Sequence, residues 1–237
     1  MSDTKTIARN ERRAECSSPS PCSAFRVLPV SAKEAKPWIL ERHYAKRMPM
    51  IEHCFGLFDG SVCAGVCSFG DGSGNINNNS LGEYKMNELN RLIVSEGLPK
   101  NTSSWFVARC LEMLPSPRVL ISYADSDFGH VGYIYQATNW IYTGESEGRR
   151  IYMKDGKEYH RKSVYDMLGK HDLADAERAG FVYHKGKPKH RYFMFLGNRR
   201  EKREMASLLP YPVLPYPKGE TTRYEASQEI TTQGMLL

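Results

Sequence analysis

Carboxylates, an imidazole and phenols crowd one stretch of this chain. Asp125, Asp127, His130, Tyr133 and Tyr135 all fall within residues 119–144, VLISYADSDFGHVGYIYQATNWIYTG. Such groups take and give protons and fix the orientation of polar ligands. A second set, Arg42-His43-Tyr44-Ala45-Lys46-Arg47, stands just before Met48-Pro49-Met50. A histidine beside a tyrosine and several bases suits the polar wall of a cleft, although a surface histidine is also favoured near a helix C-terminus. In residues 85–94, KMNELNRLIV, the polar Asn87, Asn90 and Arg91 are unusual for a buried strand and either face an edge or line a site. Thr102, Ser103 and Ser104 stand at a helix start, where free N–H groups and the helix dipole make a ready anion site. Ordinary capping explains those three residues equally well.

The elements that must hold these groups follow from periodicity. Val119 to Tyr123 is an apolar, β-branched run that reads as a buried strand. Asp125, Ser126 and Asp127 stand where a helix start would want a cap. His130 to Thr138 then reads as a short amphipathic helix, closed by Asn139, and Trp140 to Thr143 returns as a strand. This layout sets the polar crest at the carboxyl end of a central strand, where open α/β sheets bind ligands.

Upstream, Phe25 to Val30 reads as a strand, and Ser31 with Glu34 forms a capping box for a helix reaching about Tyr44. Pro37 inside that helix predicts a kink or a later start. Asp59-Gly60 is a strong hairpin signal between His53–Phe58 and Val62–Phe69. The Gly/Asn-rich residues 70–83 form a loop, Lys85 to Val94 a strand, and Trp105 to Met113 a helix ended by Pro115 and Pro117. Further on, Ser163–Leu168 and Asp172–Gly180 read as short helices. Phe181–His184 and Arg191–Leu196 flank the basic Lys-Gly-Lys-Pro-Lys turn as a candidate hairpin. The result is a mixed α/β layout, a mostly antiparallel sheet flanked by helices with one parallel join. Residues 1–23 are expected to be disordered, 24–204 to form a single domain with an insertion at about 145–190, and 205–237 to be a Pro-rich, extended tail.

Composition excludes some classes. At 41% hydrophobic and 25% charged, the 237 residues are ordinary for a soluble globular protein. No run approaches the roughly eighteen apolar residues of a membrane span. The N-terminal stretch has no apolar core of a secretory signal, so a cytosolic location is expected. Cys63 and Cys67, four apart in a strand, should share a face and serve as small core residues before they serve as metal ligands. The net charge of +6 is uneven: Lys185, Lys187, Lys189, Arg191, Arg199, Arg200, Lys202 and Arg203 face only Glu201. Such a cluster suits a polyanion, or is a solvated basic tail.

The element order resembles the GNAT acetyltransferase fold. In that family the joint after the fourth strand, here Glu96 to Ser104, cradles the pyrophosphate of acetyl-CoA. The Gly-rich signature is absent here, and the Ser/Thr-rich helix start stands in its place. The family's general-acid tyrosine is matched by Tyr135. A closer resemblance lies in FRVLPVSAKEAKPWILERHYAKR, MNELNRL, SYADSDFGHVGYIYQATNWIYTG and KPKHRYFMFLG. In these blocks the chain resembles the Mom DNA-modification proteins of Mu-like phages.

That resemblance implies an enzyme converting adenine in duplex DNA to its N6-carbamoylmethyl (acetamido) form, which shields phage DNA from host restriction. It implies a GNAT-related core, iron, and action in the cytoplasm of the bacterial host. An adenine amine is a poor nucleophile, and a metal that activates the donor supplies driving force. The resemblance assigns His43, Tyr44, Asp125 and Tyr135 as the catalytic and iron set, with His130 in reserve and Arg91 against substrate or phosphate. The base must be extruded from the duplex. Lys187, Lys189, Arg191, Arg199 and Arg200 are expected to hold the DNA backbone, and Thr102, Ser103 and Ser104 the donor, acetyl-CoA or another. Oligomeric state, a dimer included, stays open. Two other readings remain: a CoA-dependent acetyltransferase of a protein or small amine, and a non-catalytic DNA-binding protein.

Overall fold

The computed structural model describes residues 22, 24–71, 81–126, 129–148, 150–170 and 172–219. The N-terminal tail, most of the 70–83 loop, Asp127 and the end of the C-terminal tail lie outside the described residues.

A seven-stranded sheet carries the site. Its strands are β1 (Phe25–Pro29), β2 (His53–Asp59), β3 (Val62–Gly70), β4 (Met86–Val94), β5 (Arg118–Asp125), β6 (Ile141–Glu145) and β10 (Lys189–Leu196). They lie in the order β1-β2-β3-β4-β5-β10-β6. Every pairing in it is antiparallel except β4 with β5. That parallel pairing covers only Met86–Glu88 against Val119–Ile121, so the two strands fork beyond it. A three-stranded sheet, β8-β7-β9, is formed by β7 (Arg150–Lys154), β8 (Lys157–His160) and β9 (Val182–Lys185).

Alternation along β5 divides the core. Leu120 and Ala124 pack with Phe106, Trp140 and Tyr192, whereas Val119 and Ile121 pack with Met86, Phe193 and Met205. The first face is covered by α2 (Thr102–Met113) and α3 (Tyr133–Ala137); Met205 comes from α6 (Arg199–Ser207) on the second. The helix α1 (Ala32–Pro37) starts at the expected Ser31–Glu34 capping box. Pro37 has no N–H to continue the ladder, and the chain widens into one π-helical turn over Trp38–Arg42. The short helices α4 (Arg161–Leu168) and α5 (Leu173–Arg178) accompany the small sheet. No described helix is long and apolar enough to cross a membrane.

Four expectations are corrected. Among the described residues the α-helix after β5 is α3: Gly132, at φ 83°, starts it, so His130 lies ahead of that helix, and Asp125 ends a strand. The helix α2 begins at Thr102 with Asn101 in the left-handed region and no side-chain cap. β9 and β10 are not a hairpin, since they join different sheets. Cys63 and Cys67 fall in separate clusters because the pairing steps from Leu57–Gly65 to Phe58–Cys63, bulging at Ala64 and reversing the alternation.

Candidate active site

The floor of the site is the β4/β5 fork. Ser122 Oγ lies 2.8 Å from Leu89 O and 2.7 Å from Tyr135 Oη. A carbonyl only accepts, so the serine hydrogen goes to Leu89 and the Tyr135 phenol donates to Ser122. Tyr135 is wedged against Trp140 and Tyr192, with ring centroids 5.2 and 5.1 Å away. Burial pushes its phenol well above the ordinary range, so it is a neutral acid at physiological pH.

One wall comes from the chain leaving the π-helical turn. His43 takes an extended conformation, φ −85°, and is 8% exposed. Its Nδ1 accepts the Ala45 N–H at 3.0 Å. Burial first, then the Arg91, His130 and Lys189 charges, lower its pKa to about 3. The ring is therefore neutral, with its proton on Nε2 facing away from Ala45. The rings of His43 and Tyr44 are 4.2 Å apart, and Tyr44 meets His130 edge-on at 6.0 Å. Burial raises the Tyr44 phenol to about 12, with Asp125 adding to the shift.

Opposite, Asp125 ends β5, and Lys189 Nζ on the paired end of β10 lies 2.5 Å from its Oδ2. The His130 N–H donates to Asp125 O at 3.1 Å, and burial lowers the imidazole pKa against the upward pull of Asp125. Arg91 donates from Nη1 to Asn90 O at 2.6 Å and from Nη2 to Arg47 O at 2.8 Å. Its guanidinium feels Tyr44 and Glu88, which puts it on the same wall. The fold thus brings His43, Tyr44, Arg91 and Asp125 within electrostatic reach of one another, apart from the cavity described below, with Tyr135 bonded to Ser122 from the other face of the sheet. Charge patterning set Lys189 on the DNA backbone and left Glu88 aside; β10's register, which pairs Lys189 with Asp125, was not readable locally.

As arranged, three of the four residues implied for iron, His43, Tyr135 and Asp125, are not set to hold a metal. His43 has Nδ1 occupied by a backbone N–H and Nε2 protonated, so neither nitrogen offers a lone pair. Tyr135 packs with Trp140 and Tyr192 on the other face of the sheet, its hydroxyl on Ser122. Asp125 is held by Lys189. Among the described residues no group of three or more His, Cys, Asp or Glu side chains could hold a metal ion.

A cavity of ≈ 540 Å³ lies where the start of α2 meets the end of α3, lined by Lys100, Asn101, Ser104, Trp105, Thr138 and Asn139 among others. Of the three hydroxyls expected to hold a donor, Ser104 lines it. Thr102 is buried with its hydroxyl on Pro99 O at 2.7 Å, and Ser103 is not among the lining residues. Of the basic residues expected on DNA, Lys187, Arg199 and Arg200 are exposed. Arg191 is 9% exposed: it donates from Nε to Thr143 Oγ1 at 2.9 Å and stacks on Tyr211 at 3.4 Å, so it braces β6 and presents nothing to a partner.

The site sits on a seven-stranded, mostly antiparallel sheet, forked at its one parallel join with a phenol at the fork. Solved structures similar to this chain include a GNAT-family acetyltransferase from Bacillus cereus, 11% identical, covering 73% of this chain and 99% of its own, with a TM-score of 0.38. Another is described as histone acetyltransferase HPA2 and related acetyltransferase, from Corynebacterium glutamicum. It is 9% identical, covers 74% of this chain and 98% of its own, and has a TM-score of 0.42. The model of the Mom protein family matches residues 24–218, and the chain belongs to that family. It is 30% identical over 211 residues to Methylcarbamoylase mom of Escherichia phage Mu, covering 82% of this chain and 84% of the relative.

Proposed function

We propose that this chain is a phage DNA-modification enzyme acting in the cytoplasm of the bacterial host. It converts adenine in duplex DNA to the N6-carbamoylmethyl form and so protects that DNA from restriction. Family membership over residues 24–218 supports the class of activity, as does the name of the Mu relative. The observation that carries the chemistry is the grouping of Asp125 with two imidazoles held neutral, His43 and His130, beside the β4/β5 fork, where the neutral Tyr135 phenol bonds Ser122.

In this reading the extruded adenine enters beside His43 and Tyr44. The N6 lone pair forms a C–N bond to the donor methylene as the bond to the donor's leaving group breaks. Tyr135 gives its proton to the leaving atom, and Asp125 or neutral His130 receives the proton from N6. Nε2–H of His43 and the Tyr44 phenol orient the base, and Arg91 offsets negative charge. Acetyl-CoA has no methylene bonded to a leaving group, so the donor in this step is an anionic carrier of a preformed carbamoylmethyl group; it enters by the cavity at Lys100, Asn101 and Ser104, where α2's N-terminus favours anionic groups. Lys187 and the insertion beyond β6 leave the main sheet at the cleft end and lie over the DNA.

Mass spectrometry of nucleosides digested from the DNA of cells making this protein tests the reading. A modified adenosine bearing the carbamoylmethyl mass is expected, with little or none when Asp125→Ala or Tyr135→Phe replaces the native chain. Unmodified adenosine alone would refute the chemistry, and full modification by both variants would refute the site.

A further inference from the structure

The loop that follows the π-helical turn is held by its carbonyls. Arg91 donates to Arg47 O at 2.8 Å, and Asn90, its neighbour on β4, donates to Met50 O at 2.9 Å. Lys46 N–H closes a turn on His43 O at 3.0 Å, and the Glu52 N–H donates to Phe69 O at 2.8 Å. Gly70 makes room for this approach, since a Cβ there would fall 1.8 Å from Met50 O. Met48 and Ile51 pack inward on the cluster of Ala35, Ile39 and Ile93.

What is left points outward. Lys46 and Arg47 are exposed, and Met50 is 73% exposed, the highest value among the large apolar side chains described. Its thioether chain stands in water on an anchored backbone. The anchors are the same two β4 residues whose strand forms the wall of the cleft, so this loop borders the site.

Two cations beside an unbranched apolar side chain match a duplex with one base removed from its stack. The cations neutralise phosphates, and an apolar wedge fills the space the base leaves. We propose that residues 46–50 grip duplex DNA at the cleft, with Lys46 and Arg47 on phosphates and Met50 entering the base stack where the target adenine has swung out. This rests on the DNA-modification reading, and it names the element that opens the duplex.

Binding and unstacking are read without donor, separately from the chemistry. The full chain is titrated into a duplex with 2-aminopurine at an adenine position, whose fluorescence rises when it leaves the stack. The native chain should raise that signal. Met50→Ala should cut the rise about threefold or more, with single-strand affinity kept within about twofold, and Met50→Leu should restore it. Lys46→Ala with Arg47→Ala should weaken duplex binding about tenfold and make the log K against log salt slope shallower by nearly two. An unchanged rise in Met50→Ala overturns the wedge, and unchanged affinity and slope in the double variant overturn the grip. A native chain that binds no duplex, or gives no rise, overturns the proposal as a whole. Native binding and unstacking, with no new base found in DNA from producing cells, would refute the chemistry and leave this inference standing.

Discussion

His43 is uncharged in the site, and that has a cost in acid. Its pKa is lowered to about 3 from an ordinary 6.5, chiefly by burial, so below pH 6.5 the unfolded chain binds a proton that the folded chain refuses. The stability held by the neutral ring is therefore complete above pH 6.5 and is lost as pH falls toward 3. His43→Gln, which cannot protonate, should show a flatter decline of urea midpoint between pH 6.5 and 4.5, recovering about 2 kcal/mol of the native chain's loss at the acid end. An identical decline in both proteins would place the imidazole in water. Tyr135 makes the complementary case. Its hydroxyl touches only Ser122 among the bonds described, so Tyr135→Phe should cost about 1 kcal/mol in denaturant titration while lowering DNA modification by roughly a hundredfold or more. A variant that loses activity in proportion to its folded fraction would reduce the phenol to packing.

Short, weakly capped elements in this fold depend on their neighbours. α3 is five residues long and has no side-chain cap, yet it carries Tyr135. The Pro-rich segment after α6 braces it from outside. Leu214 N–H donates to Tyr142 O at 2.9 Å, Tyr216 to Trp140 O at 2.7 Å and Gln136 to Pro217 O at 3.3 Å, while Tyr133 bonds Gly219 O. Tyr216→Phe should therefore speed amide exchange in residues 133–140 and leave β3 and β4 unchanged; uniform exchange across the chain would dismiss the brace. The prolines announced an extended segment, but its docking depends on contacts with residues some 80 positions away, and no local pattern encodes that. Legibility divides along the same line elsewhere. Asp59-Gly60 and the Ser31–Glu34 box are local chemistry and were readable. Asp155-Gly156 carries the same turn signal, with φ of 51° and 71°, but its hairpin was hidden in a run of charges. Arg191 and Lys189 looked alike in a basic stretch; the register of β10 buries one against Thr143 and gives the other to Asp125.

The molecule as a whole is two sheets with separate cores. Tyr152, Val164, Ala176 and Phe181 form a cluster of their own, with Phe181 edge-on to Tyr152 at 6.3 Å and to Tyr159 at 5.4 Å. Ser146 extends the β6/β10 pairing of the large sheet, its N–H donating to Lys189 O at 2.8 Å and its Oγ accepting from the Lys189 N–H at 3.2 Å, and from this end the chain leaves for β7 of the small sheet. Its attachment is therefore at the cleft end, beside Asp125. Trp38, Trp105 and Trp140, the three tryptophans of the chain, all pack on the large sheet. Phe181→Ala removes the ring around which the small core is built, at about 3–5 kcal/mol, more than a cluster of that size can absorb. Heating should then split a single transition into two: an early loss of far-ultraviolet ellipticity, followed by the tryptophan fluorescence change at its native temperature. If the fluorescence transition falls by the same amount as the ellipticity, the cores are one cooperative unit and the cleft's outer rim is rigid. If they separate, the rim can be loosened without disturbing Tyr135, and the effect of Phe181→Ala on duplex affinity measures what the small sheet contributes to holding DNA.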